Sequence, residues 1–255
     1  VTYRMKKIVL FAFVLSLFLF CFSRVLYIPS FIPKTPNPIP RRSIHHKVTH
    51  KDTIDDFEGN RDILTKYNVV VFNGERACCG GTVVKSTPEE TLILTASHCI
   101  WNKDKTPMEY GYIQFDNDDK YRVEVEAYNR NQDLALLRVT DGIEEKDVAP
   151  IAEDSPMVGD KIWVVGYGAG VEDIMSQGIV SKSNTKSIHA PETHCILIDA
   201  SVYYGNSGGG VYNDDNELIG VVIQIGPQHP TQGLWAYAVH PEEIKEFLAP
   251  YLQEN

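Results

Sequence analysis

The stretch GNSGGGVYNDDNELIGVVIQI, running from Gly205 to Ile225, decides the fold. Ser207 is set among small residues, an arrangement that lets backbone N–H groups converge beside a serine hydroxyl. Two architectures use such a serine. In one, a G-x-S-x-G elbow turns a strand into a helix, with an acid and then a histidine further down the chain. Here Ser207 is followed by more glycine, the pair Val211-Tyr212, the polar turn Asn213–Glu217 and the apolar run Leu218–Ile225. That run has the composition of a buried strand, so the elbow's context is missing and a β architecture is left.

Working outward, short apolar runs alternate with polar, glycine- or proline-bearing turns in both directions. Upstream lie Val69–Phe72, Gly81–Val84, Thr91–Thr95, the alternating Tyr121, Val123, Val125 and Ala127, and Leu134–Val139. A second set comprises Lys161–Gly166, Gly178–Ser183, Cys195–Val202, Gly209–Tyr212, Leu218–Ile225 and Leu234–Val239. The spacing predicts an all-β domain of two packed six-stranded β-barrels over residues 61–255, joined near Asp141–Pro150. Barrel one is expected over about 61–145 and barrel two over about 146–240. Pro241 suits a first helical turn, and Ile244, Phe247, Leu248, Tyr251 and Leu252 recur with helical period. A short closing helix is therefore expected over about 241–252, interrupted near Pro250.

Before the domain, Arg4, Lys6 and Lys7 precede an apolar run from Ile8 to Phe22. Residues 1–28 read as a cleaved signal peptide or a membrane anchor, and either sends the domain out of the cytoplasm. Export to a periplasmic, extracellular or lumenal space follows, tethered or released. Residues 29–60, with their prolines and their bases, read as an extended linker. His45, His46 and His50 within it lack the fixed geometry of a metal site. Asp116-Asn117-Asp118-Asp119 lacks the glycine and distal glutamate of a calcium loop and reads as a polar hairpin turn. No metal and no organic cofactor is expected.

Charge is divided unevenly along the 255 residues. Residues 1–51 hold nine of the 24 Lys and Arg and none of the 34 acids, which leaves 15 bases against 34 acids in the remainder. Such a field disfavours nucleic acid, which needs basic surface to displace counterions, and favours neutral or basic polypeptides.

A serine hydroxyl is a weak nucleophile near neutral pH and needs a base, an orienting group for that base, and donors for the developing oxyanion. Ser207 is the candidate nucleophile. His98, directly after the strand Thr91–Thr95, is the candidate base. Asp133 opens another apolar strand and is the candidate orienting carboxylate. The N–H groups of Gly205 and Ser207 are the candidate oxyanion donors.

The segments LILTASHC (Leu92–Cys99), NQDLALLRV (Asn131–Val139), VGDKIWVVGYGAGVEDIMSQGIVS (Val158–Ser181), the stretch through Ser207, and AYAVHPEEIKEFL (Ala236–Leu248) stand in an order that resembles the chymotrypsin-like serine peptidases. Within them the chain is most similar to the HtrA (Deg) group, over roughly 65–250. The resemblance implies a His98, Asp133, Ser207 triad in the cleft between the barrels, and polypeptide substrates. It also implies a disulfide between Cys79 and Cys99, which HtrA proteins usually lack. Cys78 and Cys195 are left as free thiols or as a second bridge. A homo-oligomer is common among HtrA relatives, but the segment that builds that contact is not identifiable.

Departures from the family pattern carry their own expectations. Asn206 stands where digestive members have an aspartate that pairs with a new N-terminus, so activation by terminal insertion is not expected. No peptide-binding PDZ domain follows within these residues, and regulation through one is not expected. Ser201, six before Ser207, stands where trypsin-like enzymes carry aspartate, which argues against cleavage after Lys or Arg. By resemblance Ser201, Val202, Tyr203, Ile223, Gln224 and Ile225 shape the specificity pocket, with Trp235 or Ala236 behind it. Cleavage after small or medium aliphatic residues is the expectation. Two alternatives stand beside the endopeptidase reading: a catalytically silent binding module on a peptidase fold, and an esterase.

Overall fold

The computed structural model describes residues 50–115, 119–188, 190–226 and 235–252. The signal or anchor segment, the linker as far as residue 49, and residues 116–118 of the acidic turn lie outside the described residues. Among the described residues, no helix is long and apolar enough to cross a membrane.

Among the described residues, twelve strands form two closed six-stranded barrels. Barrel one consists of β1 (Asn68–Asn73), β2 (Arg76–Ser86), β3 (Thr91–Ala96), β4 (Gly111–Gln114), β5 (Lys120–Asn129) and β6 (Leu134–Val139). Barrel two consists of β7 (Lys161–Gly168), β8 (Val171–Thr185), β9 (Cys195–Asp199), β10 (Gly210–Tyr212), β11 (Leu218–Ile225) and β12 (Ala236–Val239). Strand order is β1-β2-β3-β6-β5-β4 in the first and β7-β8-β9-β12-β11-β10 in the second, the same arrangement used twice. Every neighbouring pair is antiparallel, and the β1–β4 and β7–β10 pairs close the two barrels.

Burial explains which runs became which strands. All six residues of β3 are buried between β2 and β6, and its sequence TLILTA is apolar or β-branched throughout. In β5, by contrast, Val123 is buried while Lys120, Arg122, Glu124 and Glu126 face water, which gives the alternation of a strand with one solvated side. A continuous apolar core joins Leu92, Leu94, Leu134 and Leu136 of barrel one to Trp163, Tyr212 and Val239 of barrel two. A second core, with Ile162, Val164, Ile196, Ile198 and Val222, fills barrel two itself.

Several elements differ from the sequence reading, among them β8, which starts at Val171 rather than at Gly178. An 18-residue helix, α1 (His50–Tyr67), occupies the last part of the segment read as linker. Leu64 is fully buried and Tyr67 lies 6.1 Å from the ring of Tyr212, so the helix end is packed against the domain. Strand β4 was not among the expected runs, because Ile113 is its only aliphatic residue and pairing with β1 and β5 defines it. Strand β9 stops at Asp199, short of the expected Val202.

The closing helix, α2 (Pro241–Leu248), starts on His240, whose Nδ1 accepts the Glu242 N–H at 3.3 Å. Ile244 and Leu248 are buried, and Glu243 accepts from Gln132 Nε2 at 2.7 Å and from the His194 N–H at 3.1 Å. With Thr193 Oγ1 donating to the Asn131 carbonyl at 2.8 Å, the C-terminal helix and the loop before β9 brace the turn that leads into Asp133.

Candidate active site

His98 sits in a single 3-10 turn, Ser97–Ile100, that leaves the end of β3. The turn is pinned on one side by the Cys79–Cys99 disulfide to β2, with a Cα–Cα distance of 6.2 Å. On the other side it meets Asp133. The Ser97 N–H donates to the Asp133 carbonyl at 3.0 Å, the His98 N–H to Asp133 Oδ1 at 2.9 Å, and His98 Nδ1 to Asp133 Oδ2 at 2.8 Å. Both carboxylate oxygens are therefore spent on one residue. A carboxylate only accepts, so Nδ1 carries the proton and Nε2 keeps its lone pair. Asp133 is 5% exposed whereas the His98 side chain is 45% exposed, so the pair is anchored at its acid and open at its base.

The loop carrying Ser207 is fixed by its backbone. Its carbonyl accepts the Gly80 N–H at 2.8 Å, the Gly208 N–H reaches Val222 O at 2.8 Å, and the Gly209 N–H reaches Asn206 O at 2.9 Å. Gly208 has φ +81°, and a Cβ there would lie 2.2 Å from Thr95 Oγ1 and 2.3 Å from Gly80 O, so only glycine lets the loop press against β2 and β3. Gly205, at φ +103°, would drive a Cβ to 2.0 Å from Tyr167 O. Among the described residues, the amides of Gly205 and Ser207 donate to no backbone carbonyl, unlike those of Asn206, Gly208 and Gly209 around them. Asn206 is fully buried against Gly166 and Gly168; its amide is neutral and needs no counter-charge.

His98, Asp133 and Ser207 line one cavity of about 930 Å³ between the barrels, with Ile223, Gln224 and Ile225 on its wall. A second depression of about 460 Å³ adjoins it and holds Gly205 together with His98 and Ser207. Among the described residues no hydrogen bond joins the Ser207 hydroxyl to His98, as is common in substrate-free sites whose contacts tighten on binding. Residues 79–221, more than half of the chain, match the family model of the trypsin-like peptidase domain.

The chain belongs to the trypsin-like peptidase family. The matched span takes in His98, Asp133, Gly205 and Ser207. Similar proteins include Protease Do-like 2, chloroplastic, of Arabidopsis thaliana, 29% identical over 62% of this chain and 26% of that protein. Serine protease HtrA-like of Staphylococcus epidermidis is 27% identical over 65% of the chain and 29% of its own length. Human serine protease HTRA4 is 26% identical over 64% of the chain and 33% of its own length. The chain thus spans about a third or less of these relatives, and the match speaks for the peptidase domain.

Within this trypsin-like peptidase domain, not every residue expected on the pocket lies there. Ser201 belongs to a separate depression with Lys161, Gln177 and Asp199, its carbonyl accepting from Ser176 Oγ at 2.8 Å. Val202 is 3% exposed in the core of barrel two, and Tyr203 is 47% exposed away from the cavity. The reason is that β9 ends at Asp199, after which Ser176 holds the Ser201 carbonyl and Val202 turns into the barrel-two core before the Ser207 loop. Gln224 instead lies on the cavity wall, where its side-chain oxygen accepts from Ser187 Oγ.

Residues that the sequence reading passed over complete the cleft: Trp101, Lys105 and Arg130 on the larger cavity, Arg76 and Lys103 on the smaller, while Tyr204, which departs from the HtrA pattern in the loop before Ser207, lines both. Trp101, Lys103, Lys105 and Arg130 lie within seven residues of His98 or three of Asp133, and that proximity in sequence was the available signal. Cys79, His98 and Cys99 cluster closely enough to suggest a metal, but both sulfurs are committed to the disulfide. Cys78 and Cys195 are free thiols. Burial raises both, Cys195 to about 11, which leaves them poor nucleophiles.

Proposed function

We propose that the protein is an exported serine endopeptidase that hydrolyses peptide bonds through an acyl-enzyme on Ser207. The observation that carries the reading is the double hydrogen bond from His98 to Asp133, which leaves Nε2 free in the cavity that also holds Ser207. His98 takes the Ser207 proton as Oγ attacks the carbonyl carbon, and Asp133 stabilises the imidazolium. The tetrahedral oxyanion is held by the uncommitted N–H groups of Gly205 and Ser207. His98 then protonates the leaving amine, and water repeats the sequence on the ester.

A polypeptide substrate is favoured by the wall of the cavity. Strand β11 pairs with β12 as far as Ile225, but its pairing with β10 stops at Gly210–Val221. The side of β11 away from β12, past Val222, therefore borders the cleft, where an extended peptide can add as a further strand. Ile223 and Ile225 on this wall support cleavage after small or medium aliphatic residues. Export, with or without a retained N-terminal anchor, is supported by the Cys79–Cys99 disulfide, a bond that persists in oxidising compartments.

The missing Ser207–His98 hydrogen bond is the one feature that favours a silent binding module, and the same experiment separates the two. Turnover of an unfolded protein substrate is compared in wild type and Ser207→Ala. Among the described residues the Ser207 side chain makes no hydrogen bond, its carbonyl being the group that Gly80 holds, so the variant keeps its fold. A loss of about a thousandfold or more with unchanged Tm is expected. Equal turnover by the variant rejects Ser207 as nucleophile, and no turnover by wild type favours the binding module.

A further inference from the structure

Residues 52–255 hold 15 bases against 34 acids, yet the surface beside His98 and Ser207 is basic. Lys105 and Arg130 line the larger cavity, and Arg76 and Lys103 line the smaller. Among the described residues the only carboxylate on either is Asp133, buried and bonded by both oxygens to His98. Among the described residues none of the four bases forms a salt bridge, and all four are exposed. Two acids adjoin these bases in sequence, Glu75 beside Arg76 and Asp104 between Lys103 and Lys105; neither lines either cavity, and Asp104 Oδ1 accepts from the Thr106 N–H at 3.1 Å and Thr106 Oγ1 at 2.6 Å.

Arg130 is held in place. Its guanidinium lies 3.5 Å from the centre of the Trp101 ring, and Nη2 donates to the Lys105 carbonyl at 3.2 Å. Trp101 is itself fixed, edge-on to Tyr128 at 5.0 Å and donating from Nε1 to Ser97 Oγ at 3.3 Å. A stacked guanidinium keeps N–H groups for a carboxylate and loses little freedom in meeting one.

We propose that these four bases select peptides that carry Asp or Glu on both sides of the scissile bond. The inference rests on the peptidase reading and adds the substrate class. The two cavities share His98, Trp101, Tyr204 and Ser207, so a chain laid across Ser207 sends its two halves past different pairs of bases. An acidic field over the rest of the molecule repels such a peptide except at the cleft, which orients its approach.

The test uses quenched fluorogenic peptides with one central valine, flanked on each side by alanine, glutamate or lysine, cut by the full chain. The expected kcat/KM rises about fivefold per glutamate over the alanine peptide at low salt and falls below it for lysine. The advantage shrinks toward unity as salt shortens the reach of exposed charges. In Arg130→Gln and in Lys103→Gln/Lys105→Gln the glutamate-to-alanine ratio falls toward one. In Lys182→Gln, an exposed base on β8 outside both cavities, the ratio is unchanged. Equal rates for all three peptides, a preference for lysine, or a ratio unmoved by the cleft variants overturns the inference while leaving the peptidase reading intact. Failure to cut any peptide overturns that reading, and this inference with it.

Discussion

Asp133 adopts φ +54°, a left-handed conformation in which Asp and Asn are the best tolerated side chains after glycine. Asn therefore fits the site's backbone, and its Oδ1 can still accept the His98 N–H. Its Nδ2, however, is a donor where Oδ2 accepted from His98 Nδ1, so the ring must carry its proton on Nε2 instead. With that tautomer His98 cannot accept from Ser207. Asp133→Asn is expected to lower kcat by about four orders of magnitude while Tm moves by less than about 2 °C. Steady-state kinetics with thermal melts checks this, and a variant that unfolds or stays active would show that Asp133 acts otherwise. At this scale the sequence was informative where chemistry demands a residue type. His98, Asp133 and Ser207 each stand beside a strand, and the structure brings them to one cavity. Ser201 was legible only by counting back from Ser207, and counting does not reveal that the chain leaves β9 at Asp199.

Helix α2 depends on His240 at its N-cap, where Nδ1 must be unprotonated to accept the Glu242 N–H. Burial holds this imidazole below the ordinary histidine value of 6.5, with His194 and Lys245 acting the same way and Glu242 and Glu243 opposing. Between the folded and unfolded values the unfolded chain binds the proton more readily. Stability is thus full above about 6.5 and is lost as pH falls through that value toward the folded one. His240→Asn, which caps without titrating, is expected to remove that part of the slope: wild type loses about 2–4 °C more than the variant between pH 7 and 5. Parallel melts of the two proteins over this range decide it, and identical slopes would clear His240. The elements show where pattern reading works and where it fails. Strands with their own apolar run, such as β3 and β11, were legible, whereas β4 owes its state to neighbours that no local pattern names. Helix α1 was hidden by the proline-rich, basic segment before it, although Lys66 in its last turn matches the helix dipole.

For the whole molecule, the decisive contacts are those that hold the barrels in register across the cleft. Gly80 N–H to Ser207 O and Gly208 packed against β2 and β3 tie the nucleophile loop of barrel two to the strands that support His98, and Thr95 Oγ1 to Gly80 O holds β3 to β2 at that point. The Cys79–Cys99 bridge closes a 20-residue separation in the same place and contributes about 3 kcal/mol by chain entropy. The two barrels were legible because repeated strand runs fell into two sets. The sign of charge at the cleft was not, since net charge averages over surfaces that a substrate never meets. The account stands or falls on whether this junction makes Ser207 reactive. Treatment of the folded protein with a fluorophosphonate, followed by peptide mapping, measures that directly. The account predicts a single adduct on Ser207, absent after Asp133→Asn or prior unfolding. An adduct on another residue, or none on the folded protein, would contradict it.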